Sequence, residues 1–133
     1  MDMVISLFTA ALFATVVVTQ TPDLDGLRWN SRVILLFALD TNNSQLAQQK
    51  EMLDRQAAGI KDRDLKVFEI TGRSPSGEQL RDRFHVKADS FAVVLIGKDG
   101  STKLKHSEPT DPNEIFKLID SMPMRKDEMR QRQ

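Results

Sequence analysis

The chain has 133 residues, 40% hydrophobic and 29% charged, with 19 Lys plus Arg against 19 Asp plus Glu. That length supports one domain with a real core rather than two, and the balanced charge gives no global basic field to gather nucleic acid. Cysteine is absent, which removes disulfides, thiolate metal sites and thiol catalysis from the available chemistry.

Met3 to Val18 are apolar or small throughout and carry no charge, and Gln20, Thr21, Pro22 and Asp23 end the run. The pattern predicts a secretory signal peptide over residues 1–21, although Asp2 stands where a basic residue is usual. A buried N-terminal strand or helix is the alternative, and an uncleaved anchor would need a longer stretch, of about 20 residues. The single tryptophan, Trp29, is expected to pack under a sheet edge. From Arg32 to Asp40 runs an apolar stretch, Val33-Ile34-Leu35-Leu36-Phe37-Ala38-Leu39, rich in β-branched and large side chains. Short, continuous and bounded by charges, it reads as a strand buried on both faces. A polar turn, Asp40 to Ser44, leads into a helix capped by Ser44 and running to about Ala58. Leu46, Leu53, Ala57 and Ile60 would form its inner face, with Gln49 solvated and Gly59 as the stop.

Leu65 to Ile70 predicts a second strand, parallel to the first through a right-handed crossover. Ser76 and Gln79 have capping-box spacing, which predicts a short helix over Glu78 to Phe84. Phe91 to Ile96 is a third apolar strand, expected beside the first with Phe37 and Val94 both buried. Gly97-Lys98-Asp99-Gly100 is a hairpin signal. Thr102 to Lys105 then reads as an edge strand guarded by lysines. Thr110 or Asp111 caps a last helix with Pro112 in its first turn and a stripe of Ile115, Leu118, Ile119 and Met122. Pro123 ends that helix, and residues 123–133 are expected as a charged tail, helical or frayed. The folded domain is thus expected over residues 24–122.

The element order β-α-β-α-β-β-α predicts a thioredoxin-like α/β fold, a four-stranded mixed sheet flanked by helices, with strand order two-one-three-four. Particular stretches sharpen this. Arg28-Trp29 leading into Arg32 to Ala38, then Leu95-Ile96-Gly97-Lys98-Asp99-Gly100 with Lys103, and Ile119 to Arg125 with Glu128-Met129 resemble the thioredoxin-like domain of unknown function numbered 4174. The resemblance covers roughly Leu24 to Arg130. It implies a small exported bacterial protein related to domains of animal extracellular-matrix proteins, periplasmic or secreted, and it implies no established reaction.

In a redox thioredoxin the nucleophilic thiol stands at the end of the first strand, where a helix N-terminus lowers its pKa. Here Asp40-Thr41-Asn42-Asn43-Ser44 holds that place, and Ser90-Phe91-Ala92 replaces the proline that precedes the third strand of thioredoxins. Thiol-disulfide exchange is excluded. Backbone N–H groups at Asn43 and Ser44 could hold an anion, or Ser44 or Asn42 could simply cap the helix. Asn42-Asn43-Ser44 also matches the N-glycosylation pattern. His85 and His106 are expected at the surface, and Asp40, Asp99 and Asp120 serve a strand end, a turn and a helix face. No catalytic residue, metal site or cofactor is assigned. Lys98, Lys103, Lys105 and Arg125 are the expected basic binding surface. The leading expectation is an exported, non-enzymatic binding or structural module. Its partner would be a protein or polyanion in the cell envelope or outside the cell, and it would not insert stably into a membrane after signal removal. The competing expectations are an enzyme with non-thiol chemistry in the cleft at the end of the first strand, and an intracellular accessory domain.

Overall fold

The computed structural model describes residues 21–132. The predicted signal peptide lies outside the described residues apart from Thr21. In chain order the elements are α1 (Leu24–Leu27), β1 (Arg32–Phe37), α2 (Ser44–Asp54), α3 (Ala57–Asp62), β2 (Leu65–Ile70), α4 (Pro75–Phe84), β3 (Ala92–Ile96), β4 (Thr102–His106), α5 (Pro112–Asp120) and α6 (Pro123–Gln131). One sheet holds the strands in the order β2-β1-β3-β4. β1 runs parallel to β2, with Leu35 opposite Phe68, and antiparallel to β3, with Leu35 opposite Val94. This is the expected thioredoxin-like topology.

Every residue of β1 and β3 is buried, because each strand lies between two layers of helices. Ile34, Leu36 and Ala38 face Leu46 and Leu53 of α2 and Ile115, Phe116 and Ile119 of α5. Val33, Leu35 and Phe37 face Leu80 and Phe84 of α4, with Leu24 and Leu27 of α1 packed against that cluster. The alternation of β1 side chains thus feeds two cores rather than one. Phe37 and Val94 are fully buried on adjacent strands, as their sequence context predicts.

Several local expectations are corrected. The first helix is two helices, because Gln56 leaves helical geometry at φ −115°, ψ 29°. Asn43, not Ser44, caps α2, its Oδ1 accepting from the Leu46 N–H at 3.0 Å. Gly59 does not stop a helix. It sits inside α3, where a Cβ would come within 2.6 Å of the Phe116 ring, so the small residue admits α5. α4 begins at Pro75 with Ser74 as its cap, its Oγ accepting from Gly77 N–H at 3.1 Å. A proline at the first helical position explains the earlier start. Gln49 is buried rather than solvated: its amide donates to the Thr110 carbonyl at 2.9 Å and accepts the Thr110 N–H at 2.6 Å, so the side chain pairs like a strand residue. Trp29 is 57% exposed and does not pack under the sheet. Residues Pro123–Gln131 form a regular helix, with Pro123 opening it as well as following α5. Among the described residues no helix is long and apolar enough to cross a membrane.

Candidate functional site

Parallel strands present their carboxyl ends as the usual place for chemistry in open α/β sheets. Here those ends are occupied from within. Arg81 of α4 is almost completely buried, and its guanidinium donates to Ala38 O at 2.9 Å and Ile70 O at 3.4 Å, just past β1 and at the end of β2, and to Gly72 O at 2.8 Å. One side chain therefore satisfies the Ala38 and Gly72 carbonyls at the sheet end and shares Ile70 O with the Ala38 N–H. The chain then turns through Asp40, whose Oδ1 accepts from Asn42 N–H at 2.9 Å, and enters α2 under the Asn43 cap. Asn43 Oδ1 faces the first-turn amides that an anion would need. The expected anion site at Asn43 and Ser44 is thus partly filled by the protein itself.

The four residues of the expected basic surface separate into two pairs. Lys103 and Lys105 alternate on β4 and remain exposed. Lys103 Nζ reaches Asp99 Oδ2 at 3.0 Å, and Lys105 Nζ reaches the His85 carbonyl at 2.8 Å. Lys98 and Arg125 are buried, Arg125 at 3% exposure. Both belong to a network of ion pairs at the opposite end of the sheet from Arg81. Lys98 Nζ lies 2.8 Å from Asp64 and 2.9 Å from Glu128. Arg32, 1% exposed, makes a two-pronged contact with Glu128 at 3.1 and 3.0 Å and donates to Arg63 O at 2.9 Å. Arg125 binds Asp62 at 2.6 Å, Asp120 at 3.0 Å and the Asp62 carbonyl at 3.0 Å. Arg63 completes the chain by pairing with Asp120 at 2.8 Å while its guanidinium stacks 4.1 Å from the Phe116 ring.

The cations Arg32, Arg63, Lys98 and Arg125, joined at the exposed edge by Arg132 on Asp62, meet the carboxylates Asp62, Asp64, Asp120 and Glu128. The network ties α6 to the start of β1, the end of α3, the turn after β3 and the end of α5. Since Arg125 is the buried residue of α6, charge rather than apolar area fastens this helix. An open basic patch through Lys98 and Arg125 is therefore not what the geometry provides.

The carboxylates respond to these neighbours. Burial works to raise the Glu128 carboxyl, yet the hydrogen bonds and charges of Arg32 and Lys98 hold it below the ordinary glutamate range. Burial acts in the same sense on Asp120, against Arg63 and Arg125, and Asp120 too ends lowered. The Arg125 hydrogen bond is the main cause of the lowering at Asp62. At the hairpin, the Ser101 N–H and hydroxyl, helped by Lys103, bring the Asp99 carboxyl down to about 2. Shifts of this kind belong to structural ion pairs as readily as to catalytic groups. All four of these carboxyls shift downward, as carboxylates held by cations and hydrogen-bond donors do.

Sequence patterns missed Arg32, Arg81 and Glu128. The first signal was available, an arginine joined directly to a buried apolar run, where a charge must find a partner. The histidines hold no shared site: His85 closes α4 in the left-handed region at φ 56°, and His106 Nδ1 lies 2.9 Å from Thr110 Oγ1.

A family model, "Domain of unknown function (DUF4174)", matches residues 23–128. Sushi repeat-containing protein SRPX2 of Bos taurus is 28% identical over 123 residues, covering 82% of this chain and 26% of that protein. The chain spans about a quarter of the length of the first curated relatives it matches. Among solved structures, Plasmodium vivax 2-Cys peroxiredoxin superposes with a TM-score of 0.61 at 13% identity, covering 78% of this chain and 84% of that one. A yeast mitochondrial 1-Cys peroxiredoxin gives 0.58 at 17% identity, covering 81% and 97%. Those likenesses concern the fold.

Proposed function

The chain belongs to the DUF4174 family, and we propose that it works as an exported binding or structural module that uses the thioredoxin-like fold without its redox chemistry. The observation that carries this reading is the end of β1. Asp40-Thr41-Asn42-Asn43 holds the thiol's place, Asn43 is spent on capping α2, and Arg81 occupies the carbonyls behind it. Export is supported by the uninterrupted apolar run Met3 to Val18 and by the kinds of protein the family resemblance implies. The partner is a protein or polyanion of the envelope or the medium, met by Lys103 and Lys105 on β4. Lys98 and Arg125 instead fix the hairpin and α6.

Protein recovered from the envelope or medium of the native host is expected to begin between about Ala14 and Asp25. Immobilised, it should capture its partner at low salt, and Lys103→Glu with Lys105→Glu should weaken that capture about tenfold or more while leaving the melting temperature nearly unchanged. An intact Met1 on soluble cytoplasmic protein overturns the export reading. Undiminished capture by the double variant overturns the assignment of the surface.

A further inference from the structure

A cavity of about 280 Å³ opens beside α1, far from the end of β1 where thioredoxin chemistry would lie. Leu24 and Leu27 supply its accessible apolar lining, with Val33 and Ile96 nearly covered beneath them and Ser31, Gly97 and Ser101 beside them. Its rim carries Arg28 and Arg83, with Asp25 and Asp99. Asp99 is already engaged by Ser101 and Lys103. Among the described residues no ion pair is formed by Arg28, Arg83 or Asp25, so the rim holds an excess of one positive charge.

A second, independent observation concerns how Arg28 is held. Trp29 takes a left-handed backbone at φ 72°, unusual for a bulky residue, yet its ring is 57% exposed and gains little from packing. The conformation is fixed by its N–H, which donates to Lys98 O at 2.6 Å. What it achieves is placement. The Arg28 guanidinium lies 5.0 Å from the indole centroid. The Arg28 side chain also runs along Gly100, itself at φ 85°, where a Cβ would come within 3.2 to 3.5 Å of three Arg28 atoms. Backbone strain retained without a packing return is characteristic of binding sites. An arginine held against an aromatic ring and a glycine is pre-organised for a carboxylate.

We propose that this cavity binds a small amphipathic monocarboxylate, its apolar body against Leu24 and Leu27 and its acid group between Arg28 and Arg83. The volume suits a compact ligand, at the lower end of small-molecule sites. The net charge of the rim selects one acid group. This site goes beyond the module reading and does not depend on export or on the β4 surface, so either can fail alone.

Octanoate is the probe, with octan-1-ol as the same apolar body lacking the acid, and the single tryptophan, Trp29, reports binding. Calorimetry with the full chain is expected to show one octanoate bound with a change in Trp29 fluorescence, and octan-1-ol about tenfold weaker or more. Arg28→Gln and Arg83→Gln should each raise the octanoate Kd about tenfold, with the urea midpoint unchanged because both side chains are exposed. No octanoate binding, equal affinity for octan-1-ol, or an unchanged Kd in both variants overturns the proposal.

Discussion

Replacing Glu128 with alanine is expected to lower the free energy of unfolding by about 3–5 kcal/mol, the usual cost of breaking a buried ion pair from one side. Glu128 is the shared acceptor for Arg32 and Lys98. Without it, Arg32 keeps only the Arg63 carbonyl as a partner, and its Nε already has none. Lys98 keeps Asp64, which is more exposed and so a weaker compensation. The penalty is the desolvation of cations that the fold has removed from water, not the pairing energy itself. The Asp127–Arg130 pair on the same helix is the internal control. Both of its side chains are exposed, so Arg130→Ala should cost no more than about 0.5 kcal/mol. Urea denaturation read by linear extrapolation separates these values. A Glu128→Ala loss under about 1 kcal/mol would mean that α6 is not fastened by this network. By the same reasoning Arg125→Glu is severely destabilising, since the substituted side chain would face Asp62 and Asp120 with a third carboxylate. It cannot serve as a neutral probe of binding.

Phe37→Ala is expected to cost about 3–5 kcal/mol, the range for a buried phenylalanine that leaves a cavity. Phe37 is 0% exposed, at the end of β1, with its backbone paired between Ile70 and Ala92. Its ring meets Phe84 at 6.5 Å between centroids and 53° between planes, a tilted arrangement that adds to area burial. The residue belongs to the core on the α4 side, so the substitution separately reports on how that helix is held. A loss under about 1 kcal/mol would show that β1 is not central.

The sheet was legible because apolar runs speak directly about burial. Val33 to Leu39 and Phe91 to Ile96 are too short and too continuous to be amphipathic helices, and their order fixes the topology once a right-handed crossover is required. Asp-Gly at the hairpin and Pro112 at the start of α5 were equally readable, being local conformational statements. Long-range polar pairing was not. Gln49 looks like a solvated helix residue until Thr110, sixty-one positions away, is placed against it. Lys98 and Arg125 look like surface cations until Glu128, Asp62 and Asp120 converge on them. Segment composition likewise made 123–133 read as a tail, because its mean character is charged. The partners that turn those charges into a fastening lie on β1, at the ends of α3 and α5, and in the hairpin. Gly59 was misread for a related reason. Its role is set by Phe116 on another helix, and nothing in its own neighbourhood announces that.

That α6 is clasped to the sheet by charge is tested most directly by the stability of the wild-type chain and of Glu128→Gln, measured by urea unfolding from pH 7 to pH 3. The Glu128 carboxyl is lowered in the folded protein relative to its ordinary value of 4.5. Its contribution is therefore complete above that value and is lost as pH falls through the lower, folded one. The expected result is a wild type more stable than the variant by a constant margin from pH 7 to about pH 5, with the gap closing below about pH 4 as protonation makes the carboxyl resemble the amide. Asp62 and Asp120, lowered in the same way, should make both proteins less stable over that acid range. A gap that stays constant down to pH 3, or no gap at pH 7, would contradict a clasp made of charge.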